Sequence, residues 1–327
     1  MLKTEIPSCE YNLGHIDTEL KEDAIKVEIK EKKDISSNNI NFPKININPL
    51  SFKNIDKKIL FSRNNILLCF KSQSLTKQLQ KNLMGQSKEI IDYIINELTG
   101  FFRKCIKDKN GNYFGTSLIR ICNKEQRLKI IKELSNTISE DSMDEFGTHT
   151  IQNLIEIASN EEEFKLILSS FKDFNDIIIP SLNKFGTYVI QKIIKHIPEE
   201  IRINFNYIFV NFIPILSRDA YGILAVKKFI GFTKDTLIVK QFCNIISTNF
   251  INICENKYGN YLIQYLLEIW WNKEEGKFLI KKIISKFSIL SQNEYSSYVC
   301  AFFIQLKDKN KSNNGIYNNN QLKKKQY

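Results

Sequence analysis

Histidine is nearly missing from this chain: His15, His149 and His196 are the three among 327 residues. No HExxH pair occurs, and GxSxG, GxxxxGK[ST] and GxGxxG are missing as well. These motifs carry the metal, nucleophile and phosphate chemistry of many enzymes. Their absence argues against the commoner hydrolases and NTPases. The expectation is a protein that is not an enzyme and takes no cofactor or metal. Paired cysteines are missing too. The seven are Cys9, Cys69, Cys105, Cys122, Cys243, Cys254 and Cys300, an odd number with no CxxC pair. Most sit in apolar runs, which suits buried thiols in a reducing compartment rather than a zinc or disulfide framework. No apolar run reaches 18 residues, and the opening "MLKTEIPSCEYNLG" lacks the apolar stretch of a signal peptide. Neither a secretory leader nor a membrane span is expected.

What is present begins with 43% hydrophobic residues, enough for a sizeable core in one to three domains. The formal net charge is +11, from 47 basic against 36 acidic residues. Two readings of that surplus stand open. One is a polyanionic partner such as nucleic acid or anionic membrane. The other is a lysine-, asparagine- and isoleucine-rich composition with no partner behind it.

One phrase recurs along the chain. It reads "DEFGTHTIQNLI" at 144–155, "NKFGTYVIQKII" at 183–194 and "NKYGNYLIQYLL" at 256–267. With the residue after the glycine as anchor, the phrase returns at 76, 112, 148, 187, 223, 260 and 297. The spacings are 36, 36, 39, 36, 37 and 37 residues. A period of this size marks stacked supersecondary units, none able to bury its apolar face alone.

Four positions before each anchor stand Ser72, Asp108, Asp144, Asn183, Asp219, Asn256 and Asn293. All are good N-cap residues, whose short side chains accept from orphan N–H groups of a first turn. A phrase helix is therefore expected to start near 72, 108, 144, 183, 219, 256 and 293. Six and seven positions after the anchors, 13 of 14 residues are apolar, from Leu83 to Phe303 and Ile304. With the positions two and three after the anchor they form an i, i+3, i+4 stripe facing a core. Just before the anchors come Gly111, Gly147, Gly186, Gly222 and Gly259, with Leu75 and Ser296 at the two ends. A helical glycine costs roughly 1 kcal/mol relative to alanine, so something approaches the backbone there. Either a ligand or a tightly packed helix satisfies that demand.

After each phrase come two more apolar-periodic runs, such as "EEEFKLILSSF" (161–171) and "DFNDIIIPSL" (173–182). The reading is all-α: a curved α-solenoid of about seven three-helix repeats of ~36 residues, spanning 51–306. Residues 51–70 should supply a cap and the first helix of repeat one. Residues 1–50 mix charged and Asn/Ser-rich stretches, and 307–327 are Asn/Lys-rich; both are expected to be disordered.

The edits to the phrase fall on one face. Anchor and anchor+4 lie one helical turn apart. The pairs are Thr76/Gln80, Asn112/Thr116, Thr148/Gln152, Thr187/Gln191, Ile223/Lys227, Asn260/Gln264 and Ser297/Ala301. Beside the anchors stand Lys77, Tyr113, His149, Tyr188, Leu224, Tyr261 and Tyr298. Five of these seven are aromatic or histidine. Each repeat thus offers short hydrogen-bonding groups beside a flat ring. Parallel helices pack about 8–10 Å apart, somewhat closer on a concave side. A ring, a base and the next ring need roughly 7 Å at the ~3.4 Å rise of stacked bases. One splayed nucleotide per repeat fits; a duplex does not. Asn and Gln offer both donor and acceptor to base edges, and tyrosine supplies stacking. In any single repeat a tyrosine at this position equally suits packing; the recurrence across repeats favours a ligand.

These residues resemble the recognition motif of the Pumilio (PUF) family of single-stranded RNA-binding proteins, over roughly residues 55–306. "NYLIQ" and "TYVIQ" are similar to that family's five-residue motif. The resemblance implies a right-handed solenoid reading one base per repeat. It implies base-edge contacts from Thr76, Gln80, Asn112, Thr116, Thr148, Gln152, Thr187, Gln191, Lys227, Asn260, Gln264 and Ser297. Stacking would come from Lys77, Tyr113, His149, Tyr188, Tyr261 and Tyr298. The N-terminal repeat would read the 3′ end, Asn260/Gln264 would take U, and the Thr/Gln pairs would lean to A, giving a UGUA-like target. It further implies mRNA 3′ untranslated regions as targets, repression or decay through protein effectors on the convex face, a cytoplasmic monomer and no membrane.

The sequence departs from the family pattern. Ile223, Leu224 and Lys227 are not a recognition set, and Lys227 would hold a phosphate or be skipped by the strand. Asn112/Thr116 is an altered U pair. Ser297/Ala301 lacks the Glu with which family members read guanine. The family usually has eight repeats, and the next anchor would lie beyond residue 327, so the pocket for the first U is expected to be missing. Two other readings are kept. One is a divergent nucleolar relative acting in ribosome biogenesis with loose base preference. The other is a protein-binding α-solenoid of the HEAT or tetratricopeptide kind, in which the tyrosines contact no RNA.

Overall fold

The structure is a computed structural model that describes residues 55–324, with side chains described for 55–310. By its contacts the chain divides into residues 1–47 and 48–327, and everything described lies in the second unit. The expectation for residues 1–50 falls outside the described residues.

Among the described residues the secondary structure is helical, with no strand. Repeat three shows how the unit is built. Its phrase helix is Gly147–Ile157, followed by Glu161–Leu168 and Phe174–Ser181. Asn160 caps the second helix by accepting from Glu163 N at 3.0 Å, and three glutamates fill its first turn. Those carboxylates face the positive end of the helix dipole. Asp173 caps the third helix by accepting from Asp176 N at 3.1 Å. Ile151, Leu154, Ile155, Ile167, Ile177 and Ile178 are fully buried. Each such side chain stabilises the fold by about 1.5–3 kcal/mol relative to exposure.

The seven phrase helices are Gln73–Leu83, Gly111–Ile121, Gly147–Ile157, Gly186–His196, Gly222–Phe232, Gly259–Trp270 and Ser296–Lys324. Each packs on the next, forming one layer of the solenoid. The cap column works as expected, with one shift. Asp108, Asp144, Asn183, Asp219, Asn256 and Asn293 each accept from two backbone N–H groups, at 2.7–3.2 Å. Regular helix begins only at the glycine or serine three residues later, because the Asx side chain ties the intervening residues into a tight first turn. Ser72 alone stands directly before its helix, Gln73–Leu83.

Three further departures are physical. Residues 55–70 hold two short helices, Lys57–Leu60 and Arg63–Cys69, where a cap and one helix were expected. Asp56 and Ser62 each start a new one. Repeat six has two helices, not three: Glu274–Leu290 runs unbroken for 17 residues. "EEGKFLIKKIISKFSIL" keeps helical apolar spacing and has no Asx or proline break of the kind Asp173 or Asn249 supplies elsewhere. The last phrase helix runs on to Lys324, through the segment from 307 expected to be a disordered tail. Asn/Lys-rich composition removes a packed face, but it does not stop a helix already nucleated by the apolar residues of 299–306.

Ion pairs clamp neighbouring repeats. Arg127 on the second helix of repeat two meets the fully buried Glu163 of repeat three at 3.0 Å. Arg103 of repeat one meets the fully buried Asp141 of repeat two at 2.8 Å, and Thr137 also donates to Asp141.

Candidate nucleic-acid interface

The phrase helices bring the expected positions into one column. The stacking positions stand outermost: Tyr113, Tyr188, Tyr261 and Tyr298 are 51–57% exposed, and Lys77, His149 and Leu224 are exposed beside them. At one register, these four rings each keep about half of their surface open to solvent.

The anchors are placed differently. Thr76, Asn112, Thr148, Thr187 and Asn260 are at most 2% exposed. Their hydrogen bonds run into the scaffold. Thr76 Oγ1 donates to Cys69 O at 2.9 Å. Asn112 Nδ2 donates to Asp108 O and Lys109 O, and Asn260 Nδ2 repeats this with Asn256 O and Lys257 O. Thr148 and Thr187 reach the next repeat, donating to Phe185 O at 3.2 Å and Tyr221 O at 3.0 Å. The anchors therefore also serve as joints within and between repeats. Ser297 is half-buried and donates to Glu294 O.

At anchor+4, Gln80, Thr116, Gln152, Gln191, Lys227 and Gln264 are half-buried, and Ala301 is exposed. Three glutamines there are held by their anchors. Gln264 Nε2 donates to Asn260 Oδ1 at 2.9 Å, Gln152 to Thr148 Oγ1 at 3.0 Å and Gln191 to Thr187 Oγ1 at 3.4 Å. Each arrangement commits one amide hydrogen and leaves the second hydrogen and the carbonyl oxygen to face a ligand. The anchor orients, and the glutamine presents a donor beside an acceptor. Gln80 instead crosses to repeat two, donating to Tyr113 O and Ser117 Oγ at 2.9 Å each. Thr116 Oγ1 lies 3.0 Å from Thr150 Oγ1.

A cleft of about 160 Å³ opens between repeats one and two, lined by Gln73, Thr76, Lys77, Gln80, Asn110 and Tyr113. Thr76, Gln80, Lys77 and Tyr113 were singled out by spacing alone. Gln73 and Asn110 were not; Asn110 holds the cleft edge by donating to Phe70 O at 2.7 Å. In repeat five Lys227 lies 6.0 Å from the Tyr261 ring centre and 5.5 Å from that of Tyr265. Burial pushes its pKa down, opposed by Glu268. Tyr265 was also missed, although it follows Tyr261 by one turn.

The glycine column has a packing cause. A Cβ on Gly111, Gly147, Gly186 or Gly222 would stand 2.5–2.8 Å from the carbonyl oxygen six residues earlier, and one on Gly259 closer still. That oxygen ends the preceding helix. Ser296 answers the same carbonyl differently, donating its hydroxyl to Leu290 O at 2.7 Å.

The described cysteines are free thiols, all but Cys243 buried. Burial raises their pKa values, to about 11 at Cys69 and about 12 at Cys122. Among the described residues no group of His, Cys, Asp or Glu could hold a metal ion, and no helix is long and apolar enough to cross a membrane.

Stacked helical units with an exposed ring column define an α-solenoid repeat protein. A model of the "Pumilio-family RNA binding repeat" matches residues 117–135, 142–169, 181–204 and 249–284. Over these four stretches the chain is similar to the repeats of the Pumilio family. It is similar to Pumilio homolog 12 of Arabidopsis thaliana, with 24% identity over 253 residues, 76% of this chain and 41% of that protein. It spans between 27% and 41% of the first curated relatives it matches. The RNA-binding domain of yeast Puf5p bound to SMX2 RNA has the same fold, with TM-score 0.67 and 22% identity over 76% of this chain and 70% of that one. So does the Puf4 RNA binding domain bound to the HO endonuclease RNA 3′ UTR recognition sequence, with TM-score 0.66 and 23% identity over 72% and 73% of the two chains.

Proposed function

We propose that this chain binds single-stranded RNA along its phrase helices, one base per repeat, in the 3′ untranslated regions of mRNA. The observation that carries this is the column of exposed rings at Tyr113, His149, Tyr188, Tyr261 and Tyr298, the first four beside a half-buried anchor+4 side chain. A base lying between successive rings presents its edge to that side chain. The binding unit is the repeat region, about 51–306. The base-edge residues are the anchor+4 group, with Thr148, Thr187 and Asn260 orienting three of them. The Puf4 complex on a 3′ UTR sequence supports the target class. Protein effectors on the opposite helices, a cytoplasmic location and a monomeric state complete the reading. Tethering the chain to a reporter mRNA should lower that mRNA's translation or abundance; an unchanged reporter removes the effector step.

RNA binding is tested with a pool of random 12-nucleotide single-stranded RNAs. Tyr188→Ala and Tyr261→Ala should each weaken binding of the selected RNA by about 5- to 150-fold, since a base–aromatic stack is worth ~1–3 kcal/mol. Unchanged affinity in both variants would refute the reading. Binding with no base preference would favour the ribosome-assembly relative. No binding at all would leave the face to a protein partner.

A further inference from the structure

The phrase-helix layer is not evenly packed. Gly222–Phe232 and Gly259–Trp270 touch each other least of all adjacent pairs. A cleft of about 540 Å³ opens where they separate. Clefts of roughly 300–1,000 Å³ are the size that holds small ligands. Its aromatic walls are Tyr265 and the buried Trp270. Its rim carries the exposed lysines Lys234, Lys240 and Lys273 against one acid, Glu275.

The cleft begins one helical turn from the ring column, at Tyr265. Tyr265 follows Tyr261 by one turn, and Lys227 lies within about 6 Å of both ring centres. Gly231 follows Lys227 by one turn on the facing helix. A Cβ there would meet only Tyr265 Oη, at 3.3 Å. Unlike the glycines of the phrase column, Gly231 has no backbone carbonyl against it. What it provides is space in front of Tyr265. Burial and Glu268 raise the Tyr265 pKa, so its hydroxyl stays a donor.

We propose that this cleft is a nucleotide-binding pocket for one unpaired nucleotide of the bound RNA strand. The nucleotide leaves the base column at repeat five, where Ile223 and Leu224 offer no edge or ring. Its base lies against Tyr265, and its phosphates meet Lys234, Lys240 and Lys273. The proposal rests on the RNA-binding reading above and adds a site off the one-base-per-repeat column.

The test uses the full chain and the same random 12-nucleotide pool with 4-thiouridine in place of uridine. Wild type, Gly231→Leu and Lys240→Gln/Lys273→Gln are compared. Leucine at 231 fills the cleft while raising helix propensity, and thermal melts check that the variant folds. The expected result is a photo-crosslink in the peptide holding Tyr265 and a Kd for the selected RNA at least fivefold higher in Gly231→Leu. The double lysine variant, fully on the surface, should lower the slope of log K against log salt by about 1.4, at ~0.7 per single-strand phosphate contact. RNA that crosslinks at Tyr188 or Tyr261 but not near Tyr265, with Kd and salt slope unchanged in the variants, would overturn the pocket and leave RNA binding intact. Failure of wild type to bind RNA would overturn both readings together.

Discussion

Six residues before each phrase glycine, a backbone carbonyl closes on the Cα, and that contact fixes the residue type. Alanine is the better helix former by roughly 1 kcal/mol. At position 259 its methyl would overlap Ile253 O, and overpacking of this kind costs about 1–3 kcal/mol. The second effect wins: Gly259→Ala should lower the Tm in thermal unfolding, while Gly231→Ala, with no carbonyl against it, should not. Equal behaviour of the two variants would remove the packing explanation. The column itself was legible in sequence. Its cause was not, because a carbonyl and an RNA backbone make the same demand on a glycine. The burial of the anchors was hidden for a related reason. A polar i, i+4 pair reads as surface, and only the next repeat's helix start, lying over Thr148 and Thr187, buries the first member.

Between elements, capping and inter-repeat clamps do most of the specifying. Asp144 accepts from Phe146 N and Gly147 N at 3.0 and 2.9 Å. Replacing it with alanine should cost about 0.5–2 kcal/mol, measured by urea unfolding; a loss below that range would show that the turn holds without its cap. Glu163 is fully buried against Arg127, whose side chain is 11% exposed. Glu163→Ala leaves a cation poorly solvated and should cost roughly 3 kcal/mol. Its neighbour Glu162 is 61% exposed in its pair with Lys132, so Glu162→Ala should cost less than about 1 kcal/mol. Similar losses would show that the clamp is not what couples these repeats. Six of the seven phrase helices were readable because an Asx cap and an apolar stripe agree. Repeat six misled because the run from 274 to 290 offers no break, so two expected helices fuse.

At the scale of the whole repeat array, stability is a sum of units and their nearest-neighbour interfaces. The weak contact between the fifth and sixth phrase helices makes that joint the place where cooperativity should fail. Native-state hydrogen exchange should show lower protection in Gly259–Trp270 and Glu274–Leu290 than in Gly147–Ile157 and Gly186–His196. Uniform protection across the joint would contradict it. No sequence pattern announced the cleft there, since its walls come from two repeats and its volume from what they fail to fill. The ring column was legible throughout: spacing put Tyr113, Tyr188, Tyr261 and Tyr298 at one register, and the fold holds all four in water. The central claim is that one repeat reads one base through its anchor+4 side chain. It is tested most directly by binding the wild type and the Asn260→Ser/Gln264→Glu double variant to short RNAs carrying a UGUA-type element and its single-base changes, at one stated salt concentration. Glutamate is acceptor-only and suits the donor edge of guanine, whereas Gln264 offers both a donor and an acceptor. Wild type should prefer U opposite repeat six, and the double variant should shift toward G by at least fivefold at that position alone. A change spread over all positions, or none at all, would contradict the one-base-per-repeat account.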